Sequence, residues 1–178
     1  MDKKSIRTAI KKQRESLTIS QVNSMSKSVI NNALSLDIFD KFSTFFVYKD
    51  FKNEVQTSEL IKFLKSINKC VCYPHIKGDK MLAVAPTSDA FEKDEYGILT
   101  PTEYKVIESV DVAFIPLIAC DKNKNRIGFG KGYYDKFLDG KSVYKIGLCY
   151  DFQVIDEISA DPYDVCLNAI VTQTKIIK

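Results

Sequence analysis

Histidine is almost absent from the sequence, because His75 is the only one among 178 residues. This scarcity argues against catalysis of the Ser/His/Asp kind, which needs a histidine beside the nucleophile. It also removes most zinc arrangements, because the other ligands would have to be scattered thiols or carboxylates. No CxxC pair occurs, and most of the cysteines stand in apolar, strand-like surroundings. We therefore expect reduced core cysteines at Cys70, Cys72, Cys120, Cys149 and Cys166.

Long apolar runs are missing as well. No stretch approaches the roughly 18 apolar residues of a membrane span, and the polar amino terminus lacks the apolar segment of a signal peptide. We therefore predict a cytoplasmic protein without a membrane partner. A net charge of +3 is too small to indicate nucleic acid as a partner. We expect a monomer and leave a dimer open.

The overall composition is that of a globular protein. Hydrophobic residues make up 45% and charged residues 28% of the chain, which excludes a disordered or collagen-like class. The length suffices for one sizeable core, and no linker, repeat or low-complexity tract interrupts the chain. We predict a single domain over residues 1–178.

The order of helical and strand-like patterns predicts an α/β fold. Asp2 can cap a helix to about residue 16, and Thr18 with Gln21 forms a capping box for a second helix. A third helix, which Thr57 can cap, separates the first two strand-like runs. Strand, helix and strand in this order favour a three-layer sandwich with a mostly parallel or mixed central sheet flanked by helices. The strand-like runs are residues 42–48, 70–73, 80–85, 112–115, 143–150 and 169–172.

Basic residues concentrate in the first predicted helix. They are Lys3, Lys4, Arg7, Lys11, Lys12 and Arg14. Such a cluster is either a solvated helix face or an anion site assembled from one helix.

Glycine is concentrated at one place. Gly128, Gly130 and Gly132 are three of the seven glycines of the chain, and they stand between a strand pattern and a short helix pattern. Alternate glycines let backbone N–H groups converge on an anion at such a junction. Arg126 and Lys131 add positive charge beside them, and Asp135 can hold a magnesium ion that bridges phosphate oxygens. The alternative is a plain glycine turn beside a solvated lysine and a helix-capping aspartate.

The full stretch DKNKNRIGFGKGYYDKFL, residues 121–138, resembles the signature of the 5-formyltetrahydrofolate cyclo-ligase family, an arginine followed by GxGxGYYD. Four further segments agree with the family in order along the chain. They are KKSIR at 3–7, NEVQT at 53–57, FIPLIACD at 114–121 and YDVCLNAIVT at 163–172. The similarity spans nearly the whole chain.

This resemblance implies a reaction in which ATP, magnesium and 5-formyltetrahydrofolate give 5,10-methenyltetrahydrofolate, ADP and phosphate. It also implies a role for each matching residue. Lys3, Arg7, Arg126 and the loop of Gly128, Gly130, Lys131 and Gly132 bind the nucleotide phosphates, and Tyr134 lines the same pocket. Asp135 and Asp164 match the magnesium ligands. Glu54 and Tyr133 bind the substrate, and Lys131 and Tyr133 act at the transferring group.

Some positions depart from the family pattern. Leu117, Cys120, Thr100, Asn125 and Asn168 replace common family residues. Residues 86–109 fit either a substrate-facing loop or an irregular crossover. For the wall of the pterin pocket we expect Phe51, Tyr73, Ile98 and Tyr150.

Two other functions remain open at this point. A non-catalytic nucleotide-binding protein would keep the glycine loop and bind ATP without folate. A phosphosugar isomerase or acyl-CoA transferase on a related scaffold would act without ATP.

Overall fold

Helices and strands alternate along most of the chain in the computed structural model, which describes residues 2–178. The α-helices are α1 (Lys3–Glu15), α2 (Ile19–Leu34), α3 (Ser58–Ser66) and α4 (Tyr133–Leu138). The strands are β1 (Thr44–Val47), β2 (Cys70–Lys77), β3 (Lys80–Pro86), β4 (Phe91–Lys93), β5 (Leu99–Pro101), β6 (Tyr104–Val106), β7 (Val112–Pro116), β8 (Ala119–Cys120), β9 (Arg126–Ile127), β10 (Tyr144–Leu148), β11 (Ala169–Val171) and β12 (Ile176–Ile177). Each predicted helix and strand run corresponds to one of these elements.

One large sheet of eight strands has the order β12-β11-β10-β7-β1-β2-β3-β6. The central strands β11, β10, β7, β1 and β2 are parallel to one another. Antiparallel pairing occurs only toward the edges, where β12 joins β11, β3 joins β2, and β6 joins β3. The predicted mostly parallel sheet is therefore confirmed.

Strand β1 shows how the three layers arise, because successive side chains of a strand point to opposite faces. Phe45 and Val47 pack into the core that α2 and α3 cover. Phe46 belongs to the core on the other face, where its ring stacks on that of Phe137 in α4 at 4.8 Å. Both faces of the sheet are thus buried by helices, as parallel strands require.

Helix α1 packs outside these layers. Its buried residues Ile6 and Ile10, one helical turn apart, contact Ile118, Ala119 and Ile127 in a separate apolar cluster. These three residues belong to or adjoin the β8–β9 hairpin. The contact places α1 across the segment that leads into the glycine loop.

The helix starts follow the sequence signals with one exception. The Asp2 side chain accepts hydrogen bonds from the backbone of Lys4 and Ser5, and Thr18 and Gln21 form the predicted capping box. Thr57 makes no side-chain cap, so that prediction was wrong. Its hydroxyl donates instead to the carbonyl oxygen of Tyr48 at 2.7 Å, which ties the start of α3 to the end of β1.

Residues 86–109, predicted as a substrate-facing loop or an irregular crossover, contain more regular secondary structure than either interpretation implied. They hold the β4–β5 hairpin and the edge strand β6. Thr100, on β5, is buried, and its hydroxyl lies 2.9 Å from Nδ1 of His75. No helix within residues 2–178 has the length and apolar character to cross a membrane.

The cysteines are free thiols. Cys72, Cys120 and Cys149 are buried core residues as predicted. Cys70 is only half-buried, and Cys166 is exposed, so the prediction was wrong for Cys166. Cys166 follows Asp164 in a polar segment outside the strands, where no sheet face covers it.

Candidate active site

A cavity of about 520 Å³ lies at the carboxyl-terminal edge of the parallel strands. Tyr48 and Lys49, which follow β1, and Pro116, which ends β7, contribute to its lining. The chain continues from β1 to β2 on one side, whereas β7 flanks β1 on the other. The cavity therefore lies where the strand order reverses, which is the usual ligand crevice of an open α/β sheet.

The glycine loop, residues 128–132, borders this cavity between β9 and α4. Gly130 and Gly132 have φ angles of +97° and +69°, which favour glycine. Arg7 of α1 donates from Nε to the carbonyl oxygen of Gly128 at 2.8 Å. Helix α1 is thereby held against the loop, and the Lys131 side chain stays exposed at the rim.

Basic side chains of α1 line one side of the cavity. They are Lys3, Arg7, Lys11 and Arg14. Steps of four, four and three residues place them on one helical face, along about 16 Å of helix axis. Lys4 and Lys12 are exposed instead. This division favours an anion site on one face of α1 over a helix that is solvated all round.

Two acidic side chains at the cavity are paired with these or neighbouring cations. Asp135 accepts a hydrogen bond from Nη2 of the buried Arg126 at 2.8 Å and another from the backbone of Val165 at 3.1 Å, both at Oδ1. Asp164 Oδ2 lies 2.5 Å from Lys3 Nζ, which also contacts Asp161 at 2.7 Å. The acids thus anchor the cations that face the cavity.

The pairing also fixes the charges of Lys3 and Asp164. Burial alone would lower the pKa of Lys3 and raise that of Asp164. The hydrogen bonds outweigh burial, so the pKa of Lys3 is raised and the pKa of Asp164 is lowered. Both groups therefore stay ionised at neutral pH.

Each of the carboxylates of Asp135 and Asp164 has one oxygen without a hydrogen bond in the part of the chain that the structure describes. Within residues 2–178, both hydrogen bonds to Asp135 go to Oδ1 and those to Asp164 go to Oδ2. One oxygen of each is thus available as a ligand. No cluster of three or more acidic, histidine or cysteine ligands occurs in this part of the chain. Two carboxylates suit magnesium, which takes its other ligands from phosphates and water.

Glu54 is a buried acid that also lines the cavity, with only 6% of its surface exposed. Its Oε2 accepts a hydrogen bond from the backbone of Phe51 at 2.9 Å. Burial raises the pKa of Glu54 to about 7, although the positive charge of Arg14 acts in the opposite direction. The carboxyl group can therefore exchange a proton near neutral pH.

Apolar and aromatic side chains form the wall on the Glu54 side. They include Phe51, Ile76, Met81, Tyr96 and Ile98. Tyr96, in the turn between β4 and β5, has its hydroxyl 3.4 Å from that of Tyr133, at the start of α4. The hairpin thus reaches across the cavity to the glycine-loop side. One cavity combines a row of cations from α1 with a set of apolar and aromatic side chains, and Lys49 and Lys52 also lie in its lining.

Comparison with known proteins shows the family of this chain. The model of the 5-formyltetrahydrofolate cyclo-ligase family matches residues 1–173. The chain belongs to this family. Its members are ligases, so the protein is an enzyme.

Individual relatives agree with this assignment. A 5-formyltetrahydrofolate cyclo-ligase from Haemophilus influenzae is 30% identical over 93% of this chain and 95% of its own length. The solved structure of Aquifex aeolicus 5,10-methenyltetrahydrofolate synthetase superposes with a TM-score of 0.88 at 30% identity, and the match covers 99% of this chain and 92% of that one. The corresponding synthetase structure from Mycoplasma pneumoniae gives a TM-score of 0.77 at 28% identity, over 97% and 99% of the two chains.

The cavity of this cyclo-ligase brings together all twelve residues to which the family resemblance assigned a role. These are Lys3, Arg7, Glu54, Arg126, Gly128, Gly130, Lys131, Gly132, Tyr133, Tyr134, Asp135 and Asp164. Their individual roles stay predictions. Of the expected pterin wall, Phe51 and Ile98 border the cavity.

Tyr73 and Tyr150 were assigned wrongly to that wall. Both are fully buried. The hydroxyl of Tyr150 lies 3.1 Å from that of Ser26 and donates to the carbonyl oxygen of Glu54, also at 3.1 Å. Tyr150 therefore supports the Glu54 loop from the core and does not face a ligand.

Several cavity residues were not predicted as site residues. Lys11 and Arg14 could have been found from their helical spacing to Lys3 and Arg7. Phe129 stands inside the glycine motif, and its ring lies 5.3 Å from Lys11 Nζ. Tyr96 had no local signal, because its position depends on how the β4–β5 hairpin folds over the sheet.

Proposed function

We propose that the cavity is the active site of an ATP-dependent 5-formyltetrahydrofolate cyclo-ligase. The observation that carries this proposal is one cavity that combines a row of cations beside a glycine loop with apolar and aromatic side chains beside Glu54. The cations suit a triphosphate and the apolar side chains suit a pterin. Their union in a single space suits a reaction that transfers a phosphoryl group between two substrates.

The cations beside the glycine loop bind ATP. Lys3 and Arg7 reach the phosphates from α1, and Lys131 neutralises oxygens of the terminal phosphate from the loop. Arg126 is buried against Asp135 and acts through the local positive field and by holding that carboxylate. Asp135 and Asp164 would hold magnesium, which neutralises charge on the phosphate oxygens.

The apolar and aromatic side chains bind 5-formyltetrahydrofolate. Phe51, Ile98 and Tyr96 contact the pterin ring, and ionised Glu54 accepts a hydrogen bond from one of its N–H groups. Since burial holds the pKa of Glu54 at about 7, substrate binding should favour the ionised form through that bond. Tyr133 contacts the formyl group from the loop side, and its hydroxyl donates toward the group in transfer.

The reaction then has two steps. The formyl oxygen attacks the γ-phosphorus, the bond from that phosphorus to the β–γ bridging oxygen breaks, and ADP takes the electron pair. The N10 lone pair next attacks the activated formyl carbon and closes the five-membered ring. The carbon–oxygen bond breaks, and the departing phosphate takes the N10 proton. No step needs a protein nucleophile, which fits a chain with a single histidine outside the cavity lining.

The first test follows the near-ultraviolet absorbance of the methenyl product with purified protein, 5-formyltetrahydrofolate, magnesium and ATP. We expect a rise that requires ATP and that Glu54→Ala abolishes. ATP binding without any rise would support a non-catalytic nucleotide-binding protein. Turnover without ATP would support the isomerase or transferase alternative, and either result contradicts the proposal.

A further inference from the structure

Arg14 is a buried cation of the cavity without a protein partner. Only 4% of its surface is exposed, it borders the cavity, and its Nε has no hydrogen-bond partner within residues 2–178. Arg126 is about as buried and its Nε also lacks a partner in this part of the chain, but its Nη2 forms an ion pair with Asp135. Arg14 forms no ion pair in this part of the chain. A buried charge without a partner is costly to folding, so its presence indicates an anion that binds there.

Arg14 lies near two loops that border the cavity. Its guanidinium carbon lies 5.6 Å from the centre of the Phe129 ring in the glycine loop. Its carbonyl oxygen accepts a hydrogen bond from Asn53 Nδ2 at 2.9 Å, and the same amide donates to Leu17 at 3.1 Å. Asn53 directly precedes Glu54. Arg14 therefore lies where the glycine loop and the Glu54 loop both meet α1.

Arg14 and Glu54 line the same cavity. The charge of Arg14 acts on Glu54, yet the two side chains form no ion pair. The other groups around Glu54 are acidic or phenolic, namely Asp50, Tyr48, Tyr134 and Tyr150. Lys49 and Lys52 also line the cavity, but Arg14 is the cation whose charge acts on the Glu54 carboxyl group.

The spacing along α1 places Arg14 at the far end of the row of cations from Lys3. Arg7 contacts the glycine loop at Gly128, and Arg14 follows two helical turns later, about 10 Å farther along the axis. Arg14 contacts the same loop as Arg7, at Phe129, and is the member of the row that also adjoins the Glu54 loop, through Asn53. Because, in the proposed function, the formyl oxygen must lie about 3–3.5 Å from the γ-phosphorus before transfer, the terminal phosphate of bound ATP extends toward this end of the row.

We propose that Arg14 is a catalytic residue that contacts the phosphoryl group during its transfer from ATP to the formyl oxygen. This inference rests on the proposed function. In that step the formyl oxygen forms a bond to the γ-phosphorus, the bond to the bridging oxygen breaks, and ADP keeps the electron pair. A guanidinium offers a fixed fork of donors to the phosphoryl oxygens and stays charged throughout.

The test compares Arg14→Met and Arg14→Lys with Lys12→Met, a matched change on the exposed face of α1. For each protein we would measure kcat and both KM values, the Kd for ADP by calorimetry, and the urea midpoint. Arg14→Met should lower kcat about 100-fold to 1,000-fold, as removal of a transition-state donor does. ADP affinity should change less than threefold, and the urea midpoint should stay the same or rise. Arg14→Lys should retain part of kcat, and Lys12→Met should behave as wild type.

Other results would overturn the inference. If kcat of Arg14→Met stays within threefold of wild type, Arg14 does not act in the transfer. A large rise in the Kd for ADP with unchanged kcat would make Arg14 a ground-state nucleotide ligand. If Arg14→Met does not fold, Arg14→Lys decides, and full activity in that variant would assign Arg14 a structural role. A wild-type protein that binds ADP but forms no methenyl product would refute the proposed function itself.

Discussion

Replacing Glu54 by glutamine should stabilise the unliganded protein at high pH while it removes activity. Glu54 is 6% exposed, and its pKa rises from 4.5 to about 7 on folding because burial disfavours the charged form. A difference of this size corresponds to about 3 kcal/mol. At a pH below the pKa of the unfolded state, Glu54 is protonated in both the folded and the unfolded protein, and its burial does not reduce stability through ionisation. As the pH rises toward the folded-state pKa, ionisation favours the unfolded protein, and the free energy of unfolding falls.

The Glu54→Gln variant isolates this effect. The amide side chain would keep an acceptor oxygen for the backbone of Phe51 and would carry no charge at any pH. The free energy of unfolding of this variant should lie within about 1 kcal/mol of wild type near pH 5 and exceed it by about 3 kcal/mol at pH 8. Urea denaturation at both pH values, together with the absorbance assay, measures both parts of the prediction.

Measurement at two pH values separates the effect of Glu54 ionisation from any effect of the substitution on packing. A better or worse fit of glutamine would shift stability by the same amount at pH 5 and pH 8. If the difference between variant and wild type is constant over this range, Glu54 ionises normally and the argument from burial fails. Retention of activity by the variant would separately refute its role in substrate binding.

Three further variants test the packing, the ion pair and the hydrogen bonds that support the site. Gly147→Ala should destabilise the protein by about 2 kcal/mol in urea, because its Cβ would lie 2.7 Å from methyl groups of Leu117 and Leu167; an unchanged midpoint would contradict this packing. Asp135→Asn should lower the melting temperature, at a cost of about 2 kcal/mol, because it leaves Arg126 buried without a counter-charge. The control Asp37→Asn, which breaks an exposed pair with Lys41, should leave the melting temperature unchanged. Tyr150→Phe should cost about 1 kcal/mol in urea by removing hydroxyl contacts to Ser26 and the Glu54 carbonyl, and no loss would mean that the Glu54 loop does not depend on them.

The glycine loop and the strands could be predicted because their signals are local. Gly128, Gly130 and Gly132 stand within five residues, and the strand-like runs carry their own hydrophobic pattern. Two glycines do adopt positive φ at the cavity. The family resemblance added Glu54 and Asp164, which lie far from the loop in sequence and which spacing alone could not connect to it.

Features that depend on distant contacts were missed or misjudged. Tyr73 and Tyr150 look like pocket aromatics in sequence, but the pattern of a strand cannot tell a core face from a ligand-facing one. Thr57 resembles a helix cap, whose oxygen would accept a hydrogen bond from a backbone N–H, yet its hydroxyl instead donates to the carbonyl oxygen of Tyr48, just after β1. Arg14 resembles a solvated basic residue until the packing of α1 is known.

In the proposed function, the docking of α1 and the binding of nucleotide stabilise each other, because the apolar contact of α1 is small. Helix α1 adds only Ile6 and Ile10 to an apolar cluster, whereas the sheet holds two large ones. Detachment of α1 therefore costs less free energy than global unfolding, and it removes a whole row of cations from the cavity. A nucleotide that binds those cations raises the cost of detachment by RT ln(1 + [L]/Kd). The amide protons of α1 should thus exchange with solvent more slowly in the presence of ATP, even where the rest of the protein exchanges at an unchanged rate.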